Sequence, residues 1–215
     1  MKTKTYITAL LCLISNVVVA GTGSAGLGYS SDYFRRGALL SEQAIQSNIG
    51  YSQSLAGLDW SVGASTNQPV SVGEDSYIIE GGASAQVGEL LGLYVGLQHF
   101  EQRSGDATLE VNAVVSLDTL LSPSVSVFRD TDDELYTYEL GVSHSINVNF
   151  AELGFSALYG ITDVTENNEE DYYSLGVVAS KSLSANTDLK LGYDYVDSDL
   201  IDDESILSAS ISFSF

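Results

Sequence analysis

The chain has 215 residues, with 29 Asp and Glu against 8 Lys and Arg and a single cysteine. This balance excludes nucleic acid as a partner, because phosphate binding relies on clustered bases, and one cysteine excludes a disulfide framework. Beyond residue 20 no apolar run reaches the roughly 18 to 20 residues of a transmembrane helix.

In chain order, Lys2 and Lys4 precede an apolar run from Tyr6 to Val19, and Val18, Val19 and Ala20 form a small-residue cleavage site before Gly21. That is the arrangement of a secretory signal peptide, so residues 1–20 are set apart from the fold. Leu10 and Leu11 stand before Cys12 instead of the small pair a lipoprotein site needs, which argues against lipidation. The remaining domain, residues 21–215, has no cysteine for a disulfide or a thiolate metal site. Removing Lys2 and Lys4 leaves 6 basic against 29 acidic residues, and the expected net charge is about −23 with the acids ionised.

From there the chain resolves into about twelve segments of alternating polarity, each near the roughly 9 to 11 residues that a tilted strand needs to cross a bilayer. The first, Thr22 to Tyr33, sets Ala25, Leu27 and Tyr29 against Gly26, Gly28 and Ser30, and a loop is expected over Phe34 to Ser41. Glu42 to Ser54 follows, then a tight turn at Ala56 and Gly57, then a strand with Leu58, Trp60, Val62 and Ala64 on its apolar face. Strands are expected next at Ser76 to Val87, Leu91 to Phe100, Ala107 to Leu117, Ser122 to Arg129, Leu135 to Ile146 and Ala151 to Ile161. The last three are Tyr172 to Leu183, Asp188 to Asp197 and Ser205 to Phe215, where Leu207, Ala209, Ile211, Phe213 and Phe215 alternate with serines. Pro123 falls at a strand start, where a missing N–H is tolerated.

Two architectures satisfy strong alternation without a long apolar run: a secreted β-sandwich and a transmembrane barrel. The connections favour the barrel, being short near residues 54–57, 88–90, 118–121, 147–150 and 184–187, and longer or more acidic at 67–75, 129–134, 162–171 and 198–204. Short turns then face the periplasm and the longer loops face outside. Aromatic residues also sort by depth, with Tyr33, Tyr77, Phe100, Tyr136, Tyr159, Tyr173 and Tyr195 near one set of strand ends and Tyr51, Trp60, Phe213 and Phe215 near the other. Two aromatic girdles mark two lipid interfaces. The fold class expected is all-β, an antiparallel up-and-down transmembrane barrel of about twelve strands. Its aromatic carboxy-terminus resembles the terminal strand of Gram-negative outer-membrane barrels, where the assembly machinery reads a final Phe.

If the apolar face meets lipid, the other lines a lumen. Gly26, Gly63, Gly82, Gly96, Gly141, Gly154, Gly176 and Gly192 fall there, suggesting a thinly filled interior and a narrow aqueous pore. Four lumen carboxylates, Glu80, Glu110, Glu139 and Asp194, come at similar depth on different walls, roughly 10 to 15 Å down at 3.3 Å per residue. Acids sharing a narrow space recruit cations, so a cation-favouring zone is expected in the upper lumen; ordinary solvated or paired side chains are the other reading. Lys190 is the base expected on the lumen wall, and Arg35 and Arg36 can fold inward to pair with the acids.

Three acidic clusters mark the loops: Asp130, Asp132, Asp133 and Glu134; Asp163, Glu166, Glu169, Glu170 and Asp171; and Asp197, Asp199, Asp202, Asp203 and Glu204. Oxygen-rich clusters suit Ca²⁺ or Mg²⁺, which also bridge lipopolysaccharide phosphates, yet none has the spacing of a calcium loop. No cofactor is expected. The only histidines, His99 and His144, fall on the lipid-facing parity at opposite ends, so no catalytic pair is expected and the chain reads as a non-enzyme.

The segment S-D-Y-F-R-R-G, Ser31 to Gly37, with A-I-Q at Ala44 to Gln46 and Gly57, Leu58 at the next turn, resembles the opening of the proteobacterial Gcw_chp family, whose function is unknown. Ala38, Leu39, Leu40 and Ser41 replace the family's continuation, and the likeness covers about the first fifth of residues 21–215. It implies an exported barrel, supplies no activity, and singles out Arg36 and Gly37, the latter for a positive φ. The function expected is a passive pore or transporter for small solutes with cation bias. Its rival is a non-conducting structural or surface-interaction barrel whose acidic loops bind divalent ions.

Overall fold

The computed structural model describes residues 21–105, 107–165 and 168–215, and the side chain of Asp202 is not among what it describes. The expected signal peptide with Cys12, and the acid Glu166, lie outside those residues. Twelve antiparallel strands form a single closed barrel: β1 (Thr22–Arg35), β2 (Ala38–Leu55), β3 (Leu58–Pro69), β4 (Ser76–Val87), β5 (Leu91–Gln102), β6 (Thr108–Leu117), β7 (Ser124–Asp130), β8 (Tyr136–Val148), β9 (Ala151–Thr165), β10 (Asn168–Ser184), β11 (Thr187–Ser198) and β12 (Ile201–Ser214). Each strand pairs with its neighbours in sequence, and β1 pairs with β12 to close the ring. At the closure Gly23 and Phe215 exchange both backbone hydrogen bonds, at 2.8 and 2.9 Å.

Alternation decides which residues face out. Leu27, Val95, Leu97, Leu175, Leu191 and Leu207 stand on the outer surface and are more than half exposed. Beneath them the other face carries mostly Ser, Gly, Asn and acids, and among the described residues the buried apolar side chains there are few: Ala44, Phe100, Tyr172, Val196 and Ile206. A face this greasy and this exposed is stable only against lipid. On it, polar side chains satisfy each other, as Ser47 and Thr66 do at 2.8 Å across β2 and β3.

Three expectations are corrected. First, Phe34 to Ser41 is not a loop. Arg36 and Gly37 both take left-handed backbone angles (φ 54° and 77°), closing a two-residue hairpin turn, so β1 and β2 run on to Arg35 and Ala38. Ala56 and Gly57 make the equivalent turn at the terminus-bearing end (φ 56° and 81°). Second, the acidic stretches at 162–171 and 198–204 are mostly strand: β9 and β10 reach Thr165 and Asn168, and β12 begins at Ile201. Their acids serve the ladder's side chains, with the Tyr159 hydroxyl donating to Asp171 at 3.0 Å and the Tyr195 hydroxyl to Asp203 at 3.2 Å. Third, Tyr33 and Phe100 do not belong to an outer girdle. Phe100 has the parity of Gln98 and faces the lumen, and Tyr33 is turned inward by an irregularity in the hairpin.

That irregularity starts at Gln43, whose φ of 49° interrupts the alternation of β2. Ala44 faces the lumen and so does Ser41, three residues away, where strict alternation would put them on opposite faces; Ser41 is buried and accepts a hydrogen bond from the Asn67 amide at 2.8 Å. Its partner Tyr33 turns in with it. From this point the β1–β2 hairpin leaves the wall and folds into the lumen. The ladder between β1 and β12 ends accordingly at Ser30 and Ser208, and the Ser31 hydroxyl instead accepts the Leu207 amide at 3.0 Å. Residues of the β3–β4 loop back the hairpin, through Glu42 N–H to the Val72 carbonyl (2.8 Å) and Val70 N–H to the Gln43 carbonyl (2.6 Å).

Candidate functional site

The inward hairpin carries Arg35 and Arg36 to the far side of the barrel. Arg35 Nη2 lies 2.5 Å from Glu110 Oε2 on β6 and donates to Gln98 Oε1 on β5 at 3.1 Å. Arg36 Nη2 reaches the same Glu110 oxygen at 3.2 Å, and its Nη1 lies 3.6 Å from Glu139 Oε1 on β8. Each guanidinium also lies over an aromatic ring, Arg35 4.4 Å from the centre of Phe100 and Arg36 3.3 Å from that of Phe128. Planar, weakly hydrated guanidinium suits both a carboxylate and a ring face, which a lysine would not do as well.

The network continues on both sides. Gln98 Nε2 donates to Glu80 Oε2 on β4 at 3.4 Å, and the Tyr172 hydroxyl on β10 donates to Glu139 Oε1 at 2.6 Å. One chain of polar contacts thus crosses the lumen from Glu80 through Gln98, Arg35, Glu110, Arg36 and Glu139 to Tyr172. Glu110 is only 6 % exposed and Tyr172 5 %. Charge explains how such groups are tolerated out of water: two guanidinium groups answer two carboxylates, and buried charges persist only when paired.

The four sequence-identified acids therefore separate. Glu110 and Glu139 are neutralised by the hairpin, Glu80 is held by an amide, and Asp194 stands apart from the network, its carboxylate over Gly176. Among the described residues neither Glu80 nor Asp194 forms an ion pair. Lys190 sits on the lumen wall between Ser180 and Ser210, nearer the terminus-bearing end. Phe128, Tyr94, Gln98 and Tyr172 complete the site without having been singled out, and Phe100, expected in the outer girdle, joins them. Phe128 and Gln98 share parity with lumen acids one strand away, and that signal was available in the sequence.

Lumen glycines are recesses more than gaps. Tyr94 lies across Gly82 and Gly96, and Tyr172 across Gly160 and Gly37, in each case where a Cβ would have to stand. Asn48 covers Gly26, and Ser208 covers Gly192, while Gly154 stays open. The interior is consequently filled toward the far end, where Ser30, Asn67, Ser76, Thr137, Thr162, Val196 and Ser198 are all buried. Toward the terminus-bearing end it is open: Ser52, Ser61, Ser143, Ser145, Ser156 and Lys190 are exposed. A cavity of about 490 Å³ remains under the hairpin tip, walled by Arg35, Arg36, Glu80, Tyr94, Asn112 and Glu139 among others, and a second of about 250 Å³ lies behind Tyr33.

The loop acids act as turn and strand partners. Asp130 Oδ1 accepts the amides of Asp132 (2.8 Å) and Asp133 (3.3 Å), and Asp199 donates its amide to the Asp171 carbonyl at 3.0 Å. The Glu74 carboxyl, in the β3–β4 loop, is held below the usual carboxylate range by the Ser104 hydroxyl and then by the Ser104 amide. Among the described residues no three of Asp, Glu, His and Cys converge to hold a metal ion. His99 lies 3.6 Å from Glu101 near the far end, and His144 Nδ1 contacts the Leu120 carbonyl at 2.7 Å near the other.

No known family profile matches the chain, and no curated protein does. Solved structures do match, at low identity. The KdgM porin superposes with a TM-score of 0.61 at 11 % identity, over 89 % of this chain and 99 % of that one. The NanC porin gives 0.59 at 12 %, over 89 % and 98 %. An outer-membrane channel from Pseudomonas putida F1 gives 0.62 at 10 %, over 91 % and 95 %. The likeness is one of fold: this chain has the twelve-strand architecture of outer-membrane barrels.

Proposed function

We propose that this chain is an outer-membrane channel for small solutes, narrowed at its outer end by the β1–β2 hairpin and biased toward cations. The observation that carries the reading is the lumen itself, a polar interior walled by serine and glycine and open to solvent from the terminus-bearing end, inside a surface that only lipid can cover. Residues 1–20 direct export, the termini and short turns face the periplasm, and the assembly machinery reads Phe215. Lipopolysaccharide surrounds the tyrosines of the outer rim.

The cation bias rests on Glu80 and Asp194, because the arginines already offset Glu110 and Glu139. Unpaired carboxylates in a narrow, low-dielectric passage attract cations and repel anions. The KdgM porin has been captured in a complex with oligogalacturonate, a polyanion, and the acid-lined lumen here argues for a solute of different charge. Planar-bilayer recording tests the reading. Conductance with a cation-selective reversal potential in a KCl gradient is expected, and the combined Glu80→Gln and Asp194→Asn change should move that potential toward zero. A silent barrel, or anion selectivity, overturns it.

A further inference from the structure

We infer that Glu110, Glu139, Tyr172 and the faces of Phe100 and Phe128 form a receptor for small organic cations bearing guanidinium or amine groups, occupied in the resting barrel by the chain's own Arg35 and Arg36. The inference rests on the lumen being a solute path, and it names the solute class.

What surrounds the two guanidinium groups is what a free one would need. Two carboxylates on β6 and β8 supply charge, with Glu110 more than nine-tenths buried. Two aromatic faces on β5 and β7 lie at stacking distance. A tyrosine hydroxyl on β10 fixes the Glu139 oxygen at 2.6 Å. These five groups come from five strands of the fixed wall, whereas the arginines come from a hairpin that has left the wall. The receptor is therefore built into the wall, and its occupant is supplied by a separate element.

The fit of that occupant is incomplete. Arg36 Nε is buried without a hydrogen-bond partner, and so is Asn112 Oδ1, which faces the same cavity. A buried donor and a buried acceptor left unmade each cost free energy, so the arginine pair holds the site without using all of it. The cavity of about 490 Å³ beside it gives a competitor room to approach from the lumen. Nor must the whole hairpin move for exchange, since its backbone is tied by Glu42 and Gln43 to the β3–β4 loop. Release of the two side chains is enough. A tethered ligand on a short linker acts at an effective concentration of the order of millimolar, which sets the scale a free cation has to match.

The test uses the full-length barrel in detergent micelles and agmatine as the probe, with binding measured by calorimetry at constant ionic strength. R35Q/R36Q empties the receptor and should bind agmatine at least tenfold tighter than the parent chain, while E110Q/E139Q should bind none. Equal affinity in R35Q/R36Q and the parent overturns the inference, as does binding that survives E110Q/E139Q. Should R35Q/R36Q fail to fold, agmatine binding to the parent in micelles takes its place: saturable binding, absent from E110Q/E139Q, is expected, and no binding to the parent overturns the inference. Binding in micelles does not depend on conduction, so a barrel that binds agmatine yet stays silent sinks the channel alone, and one that conducts without binding sinks the receptor alone.

Discussion

At the scale of single residues, the far half of the lumen is organised by side chains lying flat in glycine recesses. Tyr172 is the clearest case, lying over Gly160 and Gly37 with its hydroxyl on Glu139. Two substitutions separate its packing from its hydrogen bond. Tyr172→Phe keeps the ring and loses a bond to a charged group, which is expected to cost about 1.5–3 kcal/mol. Gly160→Ala puts a methyl group where the ring lies, and overpacking of this kind costs about 1–3 kcal/mol. Urea unfolding from lipid vesicles checks both, and Gly154→Ala, at an open position, is the control expected to change little. These roles were only partly legible. The lumen glycines were placed by parity alone, but a glycine's sequence context does not say whether a neighbouring strand sends a ring across it. That is a matter of register between strands.

At the scale of elements, one residue redirects the β1–β2 hairpin. Gln43 holds a left-handed angle inside a strand, a conformation costing an L-residue roughly 1–2 kcal/mol. Gln43→Gly relieves that strain against about 0.5–1 kcal/mol of added chain entropy, so the net expectation is a gain of up to about 1.5 kcal/mol in unfolding free energy, while Gln43→Val, β-branched and intolerant of positive φ, should destabilise. A reversed order in vesicle unfolding would show that the hairpin is turned inward by some other cause. The hairpin also marks where alternation stops being a sufficient guide. The ten other connections leave the strands on the wall, and there, Phe100 apart, the apolar and polar faces were assigned correctly from period two. Between Ser30 and Ala44 the left-handed residue is invisible in the hydrophobic pattern, and Tyr33, Arg35 and Ser41 were consequently put on the wrong face or in a loop. The sequence did offer one cue, an Arg-Gly pair at turn spacing between two strand-like segments, and a two-residue turn with both angles positive needs its glycine.

At the scale of the whole molecule, the exposed apolar face makes a prediction opposite to that for any water-soluble protein. Val95 is 59 % exposed on the outer face, yet Val95→Arg should cost about 2–4 kcal/mol if that residue lies near the bilayer midplane. Ser156→Arg, on the open part of the lumen, should cost far less because water reaches it. Folding of the two variants into vesicles of matched thickness measures the difference, and equal costs would argue against lipid as the solvent of the outer face. This scale was the most legible. Strand number, the closed antiparallel order and both faces of most strands follow from alternation plus the even spacing of turns, since a barrel wall leaves a period-two sequence few other ways to bury nothing and still satisfy its backbone.

Because β1 turns inward after Ser30, β12 from Ile201 to Ile206 has, among the described residues, a ladder partner on its β11 side alone. A strand with one bare edge is a template for another chain. Along this edge Asp203 and Glu204 alternate sides just where the partner is missing, and an approaching strand would have to bring its backbone against their charge. Charged side chains along an edge disfavour pairing with a second strand, so sending the first hairpin inside leaves a seam whose own sequence works against its use.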